Sequence, residues 1–128
     1  MKVGQLGTAV SLLCAMQGCR HSASIPPLPA ELSAFAAHLS KPSLEDGAQG
    51  TTFIIYDVDL SIEDAYSALD GLLPKEGWTT RGIIGDPQFR LAPFKKPGRP
   101  SIILSDDANP KMRLPGRGRV TLTWQTAP

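Results

Sequence analysis

The feature that most constrains the fold is an amphipathic segment at residues 61–73. Its apolar residues recur at the spacing of one α-helical face, and its polar residues lie opposite. Ser61 suits the N-cap, with Asp64 three residues later, and Pro74 ends the helix because proline disfavours α geometry in the preceding residue. The apolar face consists of Ile62, Ala65, Tyr66, Leu69, Leu72 and Leu73. A helix with such a face must pack on a sheet.

Segments rich in β-branched and aromatic residues supply that sheet. The clearest is residues 119–125, where Val120, Leu122 and Trp124 alternate with polar residues and are predicted to point inward. Other predicted strands cover residues 51–60, 77–84, 88–94 and 101–105. A first helix is predicted at residues 29–39, with Leu32, Phe35, Ala36 and Leu39 on its apolar face and His38 in solvent. Residues 40–50 and 106–118 are predicted to be loops.

Strands that follow one another after short turns are mostly antiparallel. The sequence therefore predicts an α+β fold, a two-layer sandwich in which two helices pack on one face of a mostly antiparallel sheet of four to five strands. We predict that residues 29–128 form one such domain.

The first 18 residues are predicted to be a signal peptide. Lys2 is followed by an uncharged, mostly small or apolar run at residues 3–18, which is shorter than the roughly 20 residues that span a bilayer. The run ends at Met16-Gln17-Gly18-Cys19, which resembles the lipobox of bacterial lipoproteins, where a small residue precedes the cysteine. The resemblance implies that residues 1–18 are removed and that Cys19 carries a lipid anchor.

The same resemblance implies a location in the bacterial cell envelope. Arg20, rather than aspartate, follows the cysteine, which implies the outer membrane in a host that has one. Residues 19–28 then form a tether that its prolines keep extended. Residues 59–78, a strand and helix followed by Gly77-Trp78, also resemble small envelope domains of bacterial lipoproteins. Two other locations stay open: secretion after cleavage near residues 22–24, and a cytosolic protein that keeps residues 1–18.

The sequence contains no catalytic signature. It lacks the serine elbow, the phosphate-binding loop, the His-Glu-x-x-His motif and the Cys-x-x-Cys motif. Two cysteines and two histidines give little material for a metal site, so we predict no metal, no cofactor and no enzymatic activity. The alternative is an envelope-acting enzyme or inhibitor that uses Asp57 and Asp59, which share one face of a strand with Cα atoms about 7 Å apart.

Charge is balanced overall but unevenly distributed. The net charge of +1 argues against nucleic acid as a partner. Residues 19–74 carry two basic and eight acidic residues, whereas residues 75–128 carry ten basic and four acidic ones. Seven of these ten basic residues lie in or beside two turns, which form one surface if the turns share a sheet edge. This candidate surface for an anionic partner consists of Lys95, Lys96, Arg99, Lys111, Arg113, Arg117 and Arg119.

These observations predict a membrane-anchored envelope lipoprotein with a small, non-enzymatic binding domain. Its partner is predicted to be the membrane through the lipid anchor and, through the basic turns, an anionic envelope polymer, a phosphorylated lipid or an acidic protein.

Overall fold

A computed structural model describes residues 25–126, in which helices cover one face of a seven-stranded antiparallel sheet. The predicted α+β class and antiparallel sheet are confirmed, but the sheet has seven strands rather than four to five. Residues 1–18 and Cys19, the predicted signal peptide and lipid attachment site, lie outside the described residues. No helix within residues 25–126 is long and apolar enough to cross a membrane.

The strand order in the sheet is β1-β2-β7-β6-β5-β3, and β4 pairs with β5 beside β3. All of these pairs are antiparallel. The strands are β1 (Leu39–Asp46), β2 (Thr52–Val58), β3 (Thr79–Thr80), β4 (Ile84–Asp86), β5 (Phe89–Lys95), β6 (Ile102–Asp107) and β7 (Val120–Thr126).

The amphipathic segment forms the α-helix α1 (Ile62–Leu72), as its periodicity predicts. The Ser61 hydroxyl accepts a hydrogen bond of 3.1 Å from the Asp64 backbone N–H, so the predicted N-cap is confirmed. Four residues of its apolar face are fully buried in the core: Ile62, Ala65, Leu69 and Leu73. A short 3₁₀ turn (Pro74–Glu76) follows, and Gly77 adopts a left-handed conformation before the chain enters β3.

The first helix is a 3₁₀ helix (Ala30–His38), not the α-helix expected at residues 29–39. A 3₁₀ helix repeats every three residues, so Leu32 and Phe35 share its buried side while Ala36 is exposed. His38 falls on the same side, and its ring lies 5.5 Å from that of Phe35. The predicted apolar face was therefore wrong at Ala36, and Leu39 begins β1 rather than ending the helix. His38 is half-buried rather than fully solvated.

The predicted loop at residues 40–50 is mostly strand β1, followed by a 3₁₀ turn (Ala48–Gly50). The pairing of β1 with β2 shifts between Ser40 and Ser43, so Lys41 and Pro42 together face the single residue Tyr56. This β-bulge accommodates Lys41 at a positive φ of 53°. Proline is tolerated there because β1 is the edge of the sheet and Pro42 has no N–H to donate.

The strand predicted at residues 77–84 is divided into β3 and β4, which pair with different parts of β5. Along β5, the residues up to Leu91 pair with β4, and the residues from Phe94 onward pair with β3. Pro93 lies in the gap between them, where β5 needs no backbone donor on that side. The turn predicted at residues 85–87 lies later in the chain, because Gly85 and Asp86 belong to β4 and Pro87-Gln88 form the connection to β5.

Alternation along the strands divides the sheet into two faces. The predicted inward residues Val120, Leu122 and Trp124 are buried against α1 and the first 3₁₀ helix, as predicted. We call the other side the open face. The connection between β6 and β7, residues 108–119, folds back over part of the open face, and we call it the cover loop.

Candidate binding cleft and the two basic turns

The two basic turns lie at opposite ends of the sheet. One turn joins β5 to β6 beside Ile102, and the cover loop joins β6 to β7 beyond Asp107. Strand β6 has six residues, so its two ends are about 17 Å apart. The seven candidate residues therefore do not form one continuous surface. We call the end at the β5–β6 turn the hairpin end and the other the cover-loop end.

Both ends nevertheless use the same local motif. Residues 96–99 read Lys-Pro-Gly-Arg and residues 114–117 read Leu-Pro-Gly-Arg. In each, the arginine N–H donates to the carbonyl three residues earlier, at 3.0 Å for Arg99 and 3.1 Å for Arg117. The glycines have φ of 76° and 79°, which is the conformation that a type II turn requires at its third position.

At the hairpin end, Arg99 is tied to the first 3₁₀ helix. Its guanidinium donates to both carboxylate oxygens of Glu31, at 2.9 and 3.3 Å, and lies 5.3 Å from the Trp78 ring centre. The Trp78 indole N–H also donates to Glu31, at 3.1 Å. The hydrogen bonds from Arg99 are the main reason that the pKa of Glu31 falls from 4.5 to about 2. Arg99 thus has a structural partner 68 residues away in sequence.

At the cover-loop end, Arg117 fastens the cover loop to β1 and β2. Its side chain is 11% exposed and donates to Ser43 Oγ at 2.8 Å, and to the Ile55 carbonyl and Asp57 Oδ1 at 3.4 Å each. The Gly118 backbone N–H donates to the same carboxylate of Asp57 at 3.1 Å. The structure therefore assigns Asp57 and Arg117 the task of holding the loop on the open face.

The two aspartates proposed as a catalytic pair do not share a site. Asp57 lies under the cover loop, whereas Asp59 follows the end of β2 and is 65% exposed. His38 Nδ1 lies 2.8 Å from Asp59 Oδ1, so each carboxylate has its own cationic or hydrogen-bonding partner. No group of three or more metal-ligating side chains occurs among residues 25–126.

A buried carboxylate, Asp106, organises the core side of the same end. It was predicted to start the loop at residues 106–118 but lies in β6. Asp106 is only 3% exposed and accepts hydrogen bonds from Arg119 and, at 2.7 Å, from Arg90. Arg90 also donates to Glu63 on α1 at 2.6 Å. Burial raises the pKa of Asp106, but the hydrogen bonds from the two arginines outweigh burial and hold it below its usual value. Arg119 therefore forms an internal ion pair with Asp106, which it shares with Arg90.

Between the cover loop and the open face lies a cleft of about 170 Å³. Three of the large apolar side chains around it are conspicuously exposed: Met112 by 73%, Leu114 by 49% and Phe89 by 45%. Sheet residues form the floor of the cleft, namely Ile55, Ser105, Thr121 and Thr123.

Arg113 lies at the same cleft and is the cation best placed to meet a ligand. Its Nε donates to the backbone carbonyl of Asp107 at 3.0 Å, which orients the side chain. Within the described part of the chain, no carboxylate forms a salt bridge with it. Lys111 is exposed nearby and is likewise unpaired among these residues.

Of the seven predicted surface residues, Arg99, Arg117 and Arg119 are engaged in internal ion pairs, and the other four carry charge outward. The cleft itself was not predicted, since its apolar lining comes from Phe89 on β5 and from a segment read only as a loop. Two large apolar residues inside a Pro- and Gly-rich loop, Met112 and Leu114, are the sequence signal that could have revealed it. No protein-family model, curated protein or solved structure matches the chain.

Proposed function

We propose that this chain is a lipid-anchored lipoprotein of the bacterial cell envelope whose domain binds another protein without catalysing a reaction. The anchor rests on the lipobox-like Met16-Gln17-Gly18-Cys19 and on the apolar run before it. The observation that carries the binding role is the cleft under the cover loop, with Met112, Leu114 and Phe89 exposed around it.

The size of the cleft favours a protein segment over a small molecule. Small-molecule sites enclose most of their ligand in about 300–1,000 Å³. This cleft has about 170 Å³, enough for one or two apolar side chains, and it continues past Phe89 and Met112 into a shallow depression of about 300 Å³ that is open to solvent. Exposed apolar side chains beside an arginine are typical of interface anchor positions. Arg113 supplies a cation at the cleft, so the partner segment combines an apolar anchor with an adjacent carboxylate.

The alternative role as an enzyme or inhibitor acting through Asp57 and Asp59 has less support. Asp57 is held by Arg117 and Gly118, and using it as an acid or base would release the cover loop. Asp59 is separated from it at the end of β2. No specific observation favours catalysis at either residue.

The lipid anchor is tested by the intact mass of the protein purified from its host membrane. We expect a chain that begins at Cys19 and carries added acyl mass. An unmodified chain that begins at Met1 refutes the anchor, and an unmodified chain that begins near residues 22–24 indicates secretion instead.

The cleft is tested by titrating the ¹⁵N-labelled chain with a capped peptide that alternates leucine and glutamate, with a leucine–lysine peptide as control. We expect chemical-shift changes at Met112, Leu114 and Thr123 with the acidic peptide only. Arg113→Gln should weaken binding about threefold to fivefold, the loss expected for one partly exposed charge pair. Arg81→Gln removes an exposed arginine elsewhere and should have no effect. Shifts distributed away from the cleft, or equal effects of the two substitutions, contradict the proposal.

A further inference from the structure

We infer that the hairpin end rests on an anionic lipid surface, so that the cleft at the cover-loop end points away from the membrane. The inference rests on the proposed lipid anchor at Cys19. The two basic turns then have different roles: the β5–β6 turn contacts lipid headgroups, and the turn in the cover loop borders the protein-binding cleft.

The first argument is where the chain enters the fold. The first 3₁₀ helix begins at Ala30, and Glu31 is bound to Arg99 of the β5–β6 turn at 2.9 Å. The helix then runs toward the cover-loop end, where His38 meets Asp59. Ten residues separate Cys19 from Ala30, a reach of about 36 Å at most. The tether predicted at residues 19–28 is shorter than expected, because Ile25 and Leu28 already pack against the core. The chain therefore enters the first 3₁₀ helix at the hairpin end, and an anchor at Cys19 favours the orientation in which this end faces the membrane.

The second argument is the charge at that end. Lys75, Lys95 and Lys96 gather around the turn: Lys95 pairs with Thr79 across β5 and β3, and the Lys96 side chain lies against Gly77, two residues after Lys75. None of the three forms a salt bridge within residues 25–126. Three lysines near an anionic membrane favour this orientation on the order of a hundredfold.

Two of the acidic residues at the same end lie too far away to cancel that charge. Glu45 and Asp46 are at the end of β1, which is four strands from β5 in the sheet order. At about 4.8 Å per strand, the separation is about 19 Å, more than twice the Debye length of about 8 Å at physiological salt. Glu76 is the exposed carboxylate nearest in sequence to the lysines, and it leaves them in excess. The domain should therefore rest on its β5–β3 corner with β1 raised.

The cover-loop end differs because carboxylates offset its cations. Lys111 and Arg113 form no salt bridge within residues 25–126, but Asp86 and Asp107 lie at the same end, each paired with Phe89 in the sheet. Arg117 is paired with Asp57, and Arg119 and Arg90 share Asp106 and Glu63. An anionic surface therefore gains less from contact with this end than with the hairpin end. The balance of cations and carboxylates at each end, rather than the number of basic residues, sets the orientation.

The two Pro-Gly-Arg turns provide a matched pair of reporters. Pro97→Cys and Pro115→Cys replace exposed prolines at equivalent turn positions, and neither changes the charge. The acylated full chain is reconstituted in vesicles of phosphatidylcholine with about 30% phosphatidylglycerol, in pure phosphatidylcholine vesicles and in detergent. The rate of modification by a maleimide carrying polyethylene glycol is then measured for each variant.

We expect the thiol at position 97 to react at least about tenfold more slowly on anionic vesicles than in detergent, and the thiol at position 115 to react at similar rates in both. The difference should vanish on phosphatidylcholine, and in a Lys75→Gln, Lys95→Gln, Lys96→Gln background. Equal rates for the two thiols of an acylated chain on anionic vesicles overturn the orientation alone. A chain without acyl mass overturns both the anchor and the orientation.

Discussion

The cluster of Glu31, Arg99 and Trp78 makes the stability of this domain depend on acid pH in a defined way. The pKa of Glu31 falls from 4.5 to about 2 on folding. A group whose pKa is lowered by folding stabilises the native state above its unfolded pKa, and that stabilisation is lost as the pH falls through the folded pKa. Protonation of Glu31 should therefore weaken the fold progressively between about pH 5 and pH 2.

The size of the effect follows from the same shift. The fall in pKa corresponds to at most about 3.4 kcal/mol, but Arg99 is 38% exposed and water screens the pair. We therefore expect Glu31→Gln to lower the free energy of unfolding by about 1.5 kcal/mol at pH 7. Glutamine retains a carbonyl oxygen that can accept from the Trp78 indole, so the substitution chiefly removes the charge.

Urea unfolding followed by tryptophan fluorescence at pH 7, 5, 4 and 3 measures the difference between the two proteins. The difference should be constant from pH 7 to pH 5 and shrink below about pH 4.5. Glu76→Gln provides the control, because Glu76 is exposed at the same end and forms no salt bridge within the described residues. A difference that stays the same down to pH 3, or an equal effect of the control, would refute the reasoning.

Three further substitutions test the rest of the fold by urea unfolding at pH 7. Arg117→Ala should cost about 2 kcal/mol, because it leaves Asp57 largely buried without its closest cation, and it should increase hydrogen exchange in the cover loop. Asp106→Asn should lower the free energy of unfolding by about 2 kcal/mol because Arg90 and Arg119 lose their shared carboxylate. Since folding lowers the pKa of Asp106, this loss should diminish as the pH falls below about 4. Leu122→Ala should cost about 2–5 kcal/mol through a cavity in the core, and a loss under 1 kcal/mol would contradict the assigned burial.

The elements predicted correctly are those whose signals are local. Helix α1 carries its own cap and an apolar face, and β7 alternates without interruption. Strand β1 was missed because Lys41-Pro42 has the composition of a loop, and only pairing with β2 makes it a strand. The first helix was assigned the wrong type because Leu32 and Phe35 fit both a three-residue and a 3.6-residue repeat.

The candidate site was predicted only in part, and the reason is sequence distance. The basic turns were identified as turns, but whether they meet depends on the strand order. Three of the arginines are engaged by carboxylates 13–68 residues away, which no local pattern reveals. Asp106 shows how far local sequence can mislead. Two adjacent aspartates before a loop are typical of a solvated turn, yet the Asp106 carboxylate is buried between the guanidinium groups of Arg90 and Arg119.

The bulge at Lys41 and Pro42 has a consequence for how copies of this domain behave when crowded. Free strand edges invite addition of a strand from another molecule, which is a common route to aggregation. The outer edge of β1 is interrupted by the bulge at Lys41 and Pro42, which adds a bend, a charge and a residue without an N–H. The opposite edge of the sheet is divided between β3 and β4. Neither edge of the sheet formed by residues 25–126 presents a long regular run of backbone donors and acceptors. Many copies confined to one small area should therefore remain separate, each with its cleft unobstructed by its neighbours.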